Sequence, residues 1–230
     1  MALFFGILAM SETSSWRLIA HRGAPRRYRE NTLPSFAQAI AQGAQYVELD
    51  VHLTRDGQLV VHHDPVVRSP TQEVVIAQSP LSDFQALNLP FVLPTLSEIL
   101  NLCALHHTTC YVEIKPPTPS IVELVLADIE RTNALAIVSS FHHPHLERSK
   151  KLAPHIPTMA LLEWDQGLPG ELIAQNCVDE IGVGDNLLAL EKKHHANSLG
   201  LPVFVYTVND AQKMEQLRAH GFAGVFTDTF

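Results

Sequence analysis

Residues 46–54 read YVELDVHLT and alternate strictly, with Val47, Leu49, Val51 and Leu53 on one face and Glu48, Asp50 and His52 on the other. A period of two is that of a β-strand, whose successive side chains point to opposite faces. A half-buried strand normally gives its polar face to water. Residues 111–115, YVEIK, argue against that here, because they repeat the pattern with Glu113 and Lys115 sharing a face. Carboxylates inside a fold are tolerated when they are paired or bound to a metal. Glu48, Asp50 and Glu113 therefore read as one site on two neighbouring strands.

Working outward, strand and helix patterns alternate from Arg17 to the end of the chain. A short apolar run ends at His21-Arg22-Gly23. Asn31-Thr32 can then cap a helix through Ala41, with Leu33, Phe36, Ala37 and Ile40 at helical spacing and Pro34 in the first turn. Gly43 ends it. After the central strand, Arg55-Asp56-Gly57 make a tight turn and Leu59 to His63 return. Asp64 to Pro94 holds five prolines and no sustained period, and reads as an excursion over one end of the fold. Regularity then resumes, giving eight strand segments in all. That count predicts one α/β domain over 1–230, a (β/α)8 TIM barrel with a short insertion (64–94) after its second strand. A doubly wound open sheet is the alternative, since period alone does not show closure. The chain stops close to the last strand, so the usual eighth helix is absent or replaced by the N-terminal segment.

Composition narrows the class. The chain has 230 residues, 46% hydrophobic, and a formal net charge of −8. There is no Lys/Arg run of the kind that marks nucleic-acid binding. Thirteen histidines include the pairs 106–107, 142–143 and 194–195, none at metal-ligand spacing, and most read as surface or loop residues. Cys103, Cys110 and Cys177 form no CxxC and suggest a reducing compartment. Residues 1–10, MALFFGILAM, lack the basic flank of a signal peptide and are too short to span a bilayer. A packed or frayed N-terminus, a cytoplasmic location and no stable membrane insertion are expected, with export through that segment as the alternative.

Nine short pieces carry a resemblance: His21-Arg22-Gly23, Glu30-Asn31-Thr32, Glu48-Leu49-Asp50-Val51, Asp56-Gly57, His63-Asp64-Pro65, Glu113-Ile114-Lys115, Ser139-Ser140-Phe141, Thr207-Val208-Asn209 and Thr227-Asp228. In this order they resemble the glycerophosphodiester phosphodiesterase family over nearly the whole chain from Arg17. The resemblance implies the barrel, and a small-molecule glycerophosphodiester cut to sn-glycerol 3-phosphate and an alcohol. It also implies a cyclic glycerol phosphate intermediate formed by the 2-hydroxyl. Lysophospholipids are an alternative substrate, and a catalytically silent barrel that binds phosphate esters is a second alternative. The residue types agree with the main reading. Glu48, Asp50 and Glu113 offer only oxygen, which favours Mg²⁺ or Ca²⁺ over Zn²⁺. Imidazoles titrate near neutrality, so His21 and His63 suit an acid/base pair. Arg22 and Lys115 suit an anionic phosphoryl group. Glu30 divides between a helix-start role and substrate binding, and Phe141, Tyr206 and Asn209 are placed at the mouth.

The chain departs from the family pattern in three places. Arg68-Ser69-Pro70-Thr71 replaces an arginine-threonine element, Tyr206 replaces a common tryptophan, and Arg29 replaces a common proline. These positions bear on the alcohol group rather than on the reaction.

Overall fold

The computed structural model describes residues 16–230 apart from 88, 116, 117, 119, 164, 187 and 188. The expectations made for residues 1–10, and for an N-terminal replacement of the eighth helix, lie outside the described residues. In chain order the first half holds β1 (Arg17–His21), α1 (Leu33–Ala41), β2 (Tyr46–Leu53), β3 (Leu59–Val61), β4 (Val66–Arg68), β5 (Glu73–Val75), α2 (Leu81–Ala86), α3 (Leu96–Leu105) and β6 (Thr109–Ile114). The second half holds α4 (Ile121–Thr132), β7 (Ala136–Ser140), α5 (Pro144–Leu152), β8 (Thr158–Leu162), α6 (Gly170–Ala174), β9 (Glu180–Gly184), α7 (Ala189–Ser198), β10 (Val203–Tyr206), α8 (Ala211–Ala219) and β11 (Gly224–Thr227).

Eight of these strands run parallel in the order β1-β2-β6-β7-β8-β9-β10-β11, and β11 pairs back onto β1. The sheet is closed, so the fold is a (β/α)8 barrel and the open-sheet alternative is excluded. Alternation along β2 explains how the strand serves two layers. Val47, Leu49 and Val51 are wholly buried in the layer between strands and helices, with Phe36 and Ala39 of α1 and Ile99 and Leu100 of α3. Each such aliphatic side chain contributes about 1.5–3 kcal/mol when fully buried. The opposite face points into the barrel, where a smaller cluster of Ile19, Tyr111, Ile137, Met159, Leu161, Phe204 and Phe226 fills the interior.

Local signals set the helix ends. Thr95 and Glu98 form a reciprocal capping box at the start of α3. Thr32 occupies the N-cap position of α1 but makes no side-chain cap; its hydroxyl donates to the Arg29 carbonyl instead. Asn31 does not cap either, since its side chain is engaged elsewhere. The segment 64–94 contains the β4–β5 hairpin, a 3₁₀ turn at Ile76–Gln78 and α2, packed around Val60, Val67, Ile76, Phe84, Leu87 and Leu93. Elements of three to six residues are too short to show a period, which is why none is legible there. The three cysteines are buried free thiols. Three histidines, His52, His62 and His145, are buried as well. No helix among the described residues is long and apolar enough to cross a membrane.

Candidate active site

Parallel register assembles the site at the C-terminal ends of the strands, the end at which barrels of this kind carry chemistry. His21 on β1 stands opposite Glu48 on β2, Asp50 opposite Glu113 on β6, and Glu113 opposite Ser139 on β7. Immediately after His21 the chain turns sharply. Arg22 lies in the left-handed region at φ +57° and Gly23 at φ +89°. Gly23 permits the turn because a Cβ there would stand 2.5 Å from Ser35 Oγ. The turn aims the Arg22 N–H at β2, where it donates to the Glu48 carbonyl at 2.9 Å and to Glu48 Oε2 at 3.2 Å.

Glu48, Asp50 and Glu113 offer ligand atoms that all lie within 4.8 Å of one another, and all three residues are nearly inaccessible to solvent. Two cations stand against them. Lys115 Nζ is 2.8 Å from Glu113 Oε1 and 3.3 Å from Asp50 Oδ1. Arg22 Nε is 3.2 Å from Asp50 Oδ2, and its Nη1 donates to both Glu30 oxygens at 3.2 Å. Asn31, also left-handed at φ +56°, donates its amide to Asp50 Oδ2 at 2.8 Å. The charges remain unequal. Burial, with Asp50 and Glu113 alongside, holds the Glu48 carboxyl well above the ordinary range. Burial and Asp50 push Glu113 up as well. Burial works against Asp50 too, but Lys115 and Arg22 overcome it and keep that carboxyl below its usual value.

This donor set fits a hard divalent cation. Three carboxylate oxygens converge, and the buried Asp50 Oδ1 accepts no hydrogen bond even with Lys115 nearby. A bound cation would satisfy that oxygen and relieve the repulsion that raises Glu48 and Glu113.

Both histidines are held the same way. His21 Nδ1 is 2.7 Å from Asp228 Oδ1, and His63 Nδ1 is 2.9 Å from Asp64 Oδ1. A carboxylate on Nδ1 holds a proton at that atom and leaves Nε2 to take up or give one. His21 Nε2 faces the carboxylates, 3.9 Å from Glu48 Oε2. Asp228 is itself clamped by Asn209, which donates to its Oδ2 at 2.8 Å and accepts from its backbone N–H at 2.8 Å. The hydrogen bonds from His21 and Asn209 hold the Asp228 carboxyl below its ordinary range.

Between these groups lies a cavity of about 220 Å³. Its polar wall is His21, Arg22, Glu48, His63, Glu113 and Lys115; its other wall is Ser139, Phe141, Leu161, Tyr206, Thr207 and Phe226. Phe141 and Tyr206 pack edge to face, and the Tyr206 hydroxyl donates to the Leu162 carbonyl at 2.6 Å. Glu30 is not in the wall; it sits behind Arg22. Asp50 lies beneath the wall, within the carboxylate cluster. Sequence reasoning assigned no role to Asp228, to Asp64, to Asn209 beyond the mouth, or to the buried Ser139 hydroxyl, which has no partner. A short acidic partner beside each histidine was visible only for His63, whose Asp64 is the next residue.

A closed parallel barrel with three clustered carboxylates, two carboxylate-held imidazoles and two cations around one small cavity fits the class of (β/α)8 phosphoric diester hydrolases. Within that class the chain belongs to the glycerophosphoryl diester phosphodiesterase family, whose model matches residues 21–230. It is 31% identical over 237 residues to a glycerophosphodiester phosphodiesterase of Caldanaerobacter subterraneus subsp. tengcongensis, covering 92% of this chain and 93% of that one. It is 28% identical over 242 residues to a Bacillus subtilis glycerophosphodiester phosphodiesterase, covering 91% and 82%. Among solved structures it is similar to an Oleispira antarctica phosphodiesterase in complex with the product sn-glycerol-3-phosphate, with TM-score 0.83, 25% identity and 93% of each chain covered.

Proposed function

We propose that the protein is a divalent-cation-dependent glycerophosphodiester phosphodiesterase working as one domain, releasing sn-glycerol 3-phosphate and an alcohol. The observation that carries this is the placement of two histidines, each held by a carboxylate at Nδ1, on one small cavity beside the carboxylate cluster of Glu48, Asp50 and Glu113. The names of the relatives, and the product in the Oleispira neighbour, support the substrate.

Glu48, Asp50 and Glu113 would hold Mg²⁺ or Ca²⁺, which when bound polarises oxygen and offsets phosphoryl charge. Arg22 and Lys115 draw the phosphodiester anion in and balance charge that grows on its oxygens in the transition state. The glycerol 2-hydroxyl is tethered beside phosphorus, and such intramolecular attack reaches effective molarities of about 10⁵–10⁸ M. One imidazole Nε2 takes the proton of that hydroxyl as its oxygen bonds phosphorus. The other gives a proton to the alcohol oxygen as the phosphorus–oxygen bond breaks. Water then opens the cyclic glycerol phosphate with the two roles exchanged. Phe141, Tyr206 and Phe226 shield the reacting phosphorus from bulk water, and Glu30 and Asn31 orient Arg22 and Asp50.

The test is hydrolysis of glycerophosphocholine by purified protein, with and without Mg²⁺ or Ca²⁺, beside an analogue lacking the 2-hydroxyl. Cation-dependent release of choline, with the analogue turned over very slowly, is expected. Full activity after verified chelation contradicts the cation, and rapid cleavage of the analogue contradicts the cyclic route. A second reading, lysophospholipids as substrate, has one observation in its favour. A hollow of about 400 Å³ at the 64–94 segment has Leu81, Phe84, Phe91, Val92 and Leu93 in its wall, alongside the polar Gln85, Thr95 and Glu98. Faster hydrolysis of lysophosphatidylcholine than of glycerophosphocholine would select it.

A further inference from the structure

The loop between β1 and α1 carries Arg26, Arg27 and Arg29, all exposed, on a chain whose formal net charge is −8. Six of the ten arginines, Arg17, Arg22, Arg68, Arg131, Arg148 and Arg218, are engaged in ion pairs. Arg26, Arg27 and Arg29 make neither an ion pair nor a side-chain hydrogen bond among the described residues. Three of the four unpaired guanidinium groups thus fall within four consecutive positions.

These positions are rooted in the active site at both ends. Asn31 N–H donates to the Arg22 carbonyl at 3.1 Å, and Glu30 grips the Arg22 guanidinium. Between the two ends, Arg27 and Tyr28 both donate their N–H to the Ala24 carbonyl. With at most about 3.5 Å per residue, none of the three Cα atoms stands farther than about 14 Å from Arg22 or Asn31. Arg29 is fixed further, its Cζ 3.9 Å from the Phe91 ring centre. Its charge also reaches His62, the neighbour of His63, adding to the burial that lowers the pKa of His62. The loop that carries the three guanidinium groups thus leaves and rejoins the barrel at active-site residues, on the C-terminal face where the cavity opens.

The active-site cavity, about 220 Å³, is smaller than the roughly 300–1,000 Å³ of sites that enclose a drug-sized ligand. On the proposed reaction it would take the glycerophosphoryl unit and leave the alcohol of the diester towards the loops of that face. We infer that this arginine rim recognises a negatively charged alcohol, so that glycerophosphodiesters whose alcohol bears a further phosphate are the preferred substrates. The inference rests on the proposed reaction and names its substrate class. Guanidinium binds phosphate in a planar, bidentate fashion. A local positive rim also counters the repulsion that an acidic protein exerts on an anionic substrate as it approaches.

The experiment compares kcat/KM for glycerophosphorylglycerol phosphate with that for glycerophosphocholine, in wild type and in Arg26→Gln/Arg27→Gln, at low and high salt. Wild type should favour the anionic diester by about tenfold or more at low salt, and the ratio should fall towards unity in the variant and as salt rises. Equal or better turnover of the choline diester by wild type at low salt, or a ratio unmoved by the double substitution, overturns the inference. Equilibrium binding of both diesters is measured in parallel. Absence of turnover on any diester with cation supplied then contradicts the proposed reaction, and the binding preference still decides the rim. Phosphatidylglycerol vesicles form the last arm. Vesicle binding that the double variant loses, with the diester ratio unchanged, assigns the rim to a lipid surface and overturns the substrate reading.

Discussion

At the N-terminal end of the barrel interior, Arg17 donates to Glu180 Oε1 at 2.6 Å and to the Tyr111 hydroxyl at 2.8 Å, and Tyr111 donates to Glu180 Oε2 at 3.0 Å. One positive group meets one negative group, each carboxylate oxygen has a donor, and Arg17 lies over the rings of Tyr46 and Phe204. At the C-terminal end, three carboxylates of the cluster face Arg22 and Lys115, and Asp50 Oδ1 is left without a hydrogen bond. Both ends hold buried charge at considerable desolvation cost. The lower network is balanced and closes the barrel floor. The upper one is unbalanced in the sense that a cation and a phosphate diester would correct. Buried charge in one fold thus separates into a structural half and a reactive half by whether its accounts of donors and acceptors close.

The contrast can be broken by crossed substitutions. Arg17→Met leaves Glu180 buried without its cation, and should lower unfolding free energy by about 3 kcal/mol, the lower end for a broken buried pair because Arg17 is partly exposed. The kcat of the molecules that remain folded should be unchanged. Glu48→Gln should do the reverse. Activity should fall by about 10³-fold or more, with stability held or improved, because a carboxyl already raised by its neighbours is removed. Denaturant melts beside initial rates check both; a large loss of activity in Arg17→Met, or a large loss of stability in Glu48→Gln, would erase the distinction.

Within the upper end the histidines come next. His21→Ala and His63→Ala should each lose about 10²–10⁴-fold in kcat while staying folded. A folded variant with near-normal kcat would reduce that histidine to a structural part. Asp228→Asn keeps the shape but removes the negative charge beside His21 Nδ1. A smaller loss, about 10–100-fold in kcat with little change in KM, is expected from steady-state kinetics.

A fine distinction comes from pH. Glu48 is raised above 4.5 in the folded, cation-free protein, so between that ordinary value and its raised one the folded chain holds a proton that the unfolded chain has released. Its contribution is fully present below the ordinary value and is lost as pH rises through the raised one. The cation-free thermal midpoint should therefore fall as pH increases through that window. Glu180 is raised as well, by its burial, so the slope that disappears in Glu48→Gln isolates the upper end. An identical slope in the variant would count against the crowding of carboxylates.

Much of the reactive half was legible because it lies on β2, where alternation separates Val47, Leu49 and Val51 from Glu48 and Asp50 within eight residues. The strand count and the resemblance pointed to the barrel, and the closed sheet bears that out; which residues meet across the closure is not written in the period of any strand, and those contacts were missed. Asp228 meets His21 only because β11 pairs with β1, across 207 positions of sequence. The lower network joins Arg17, Tyr111 and Glu180, each an ordinary strand residue by pattern, over separations of 94 and 163. Asn31 was read as a helix cap; tertiary contact with Asp50 overrides that local preference, as its left-handed backbone shows. Glu30, evenly divided by sequence between a helix start and the site, is found holding Arg22.

Calorimetric titration of the metal-stripped protein with Mg²⁺ and Ca²⁺, in buffers of different ionisation enthalpy, bears most directly on the unbalanced end. One saturable site is expected with at least one of the two ions, accompanied by proton release as the raised Glu48 and Glu113 carboxyls ionise, and weakened or abolished in Glu48→Gln. No binding of either ion, or binding undiminished by Glu48→Gln, would contradict a cation site at Glu48, Asp50 and Glu113.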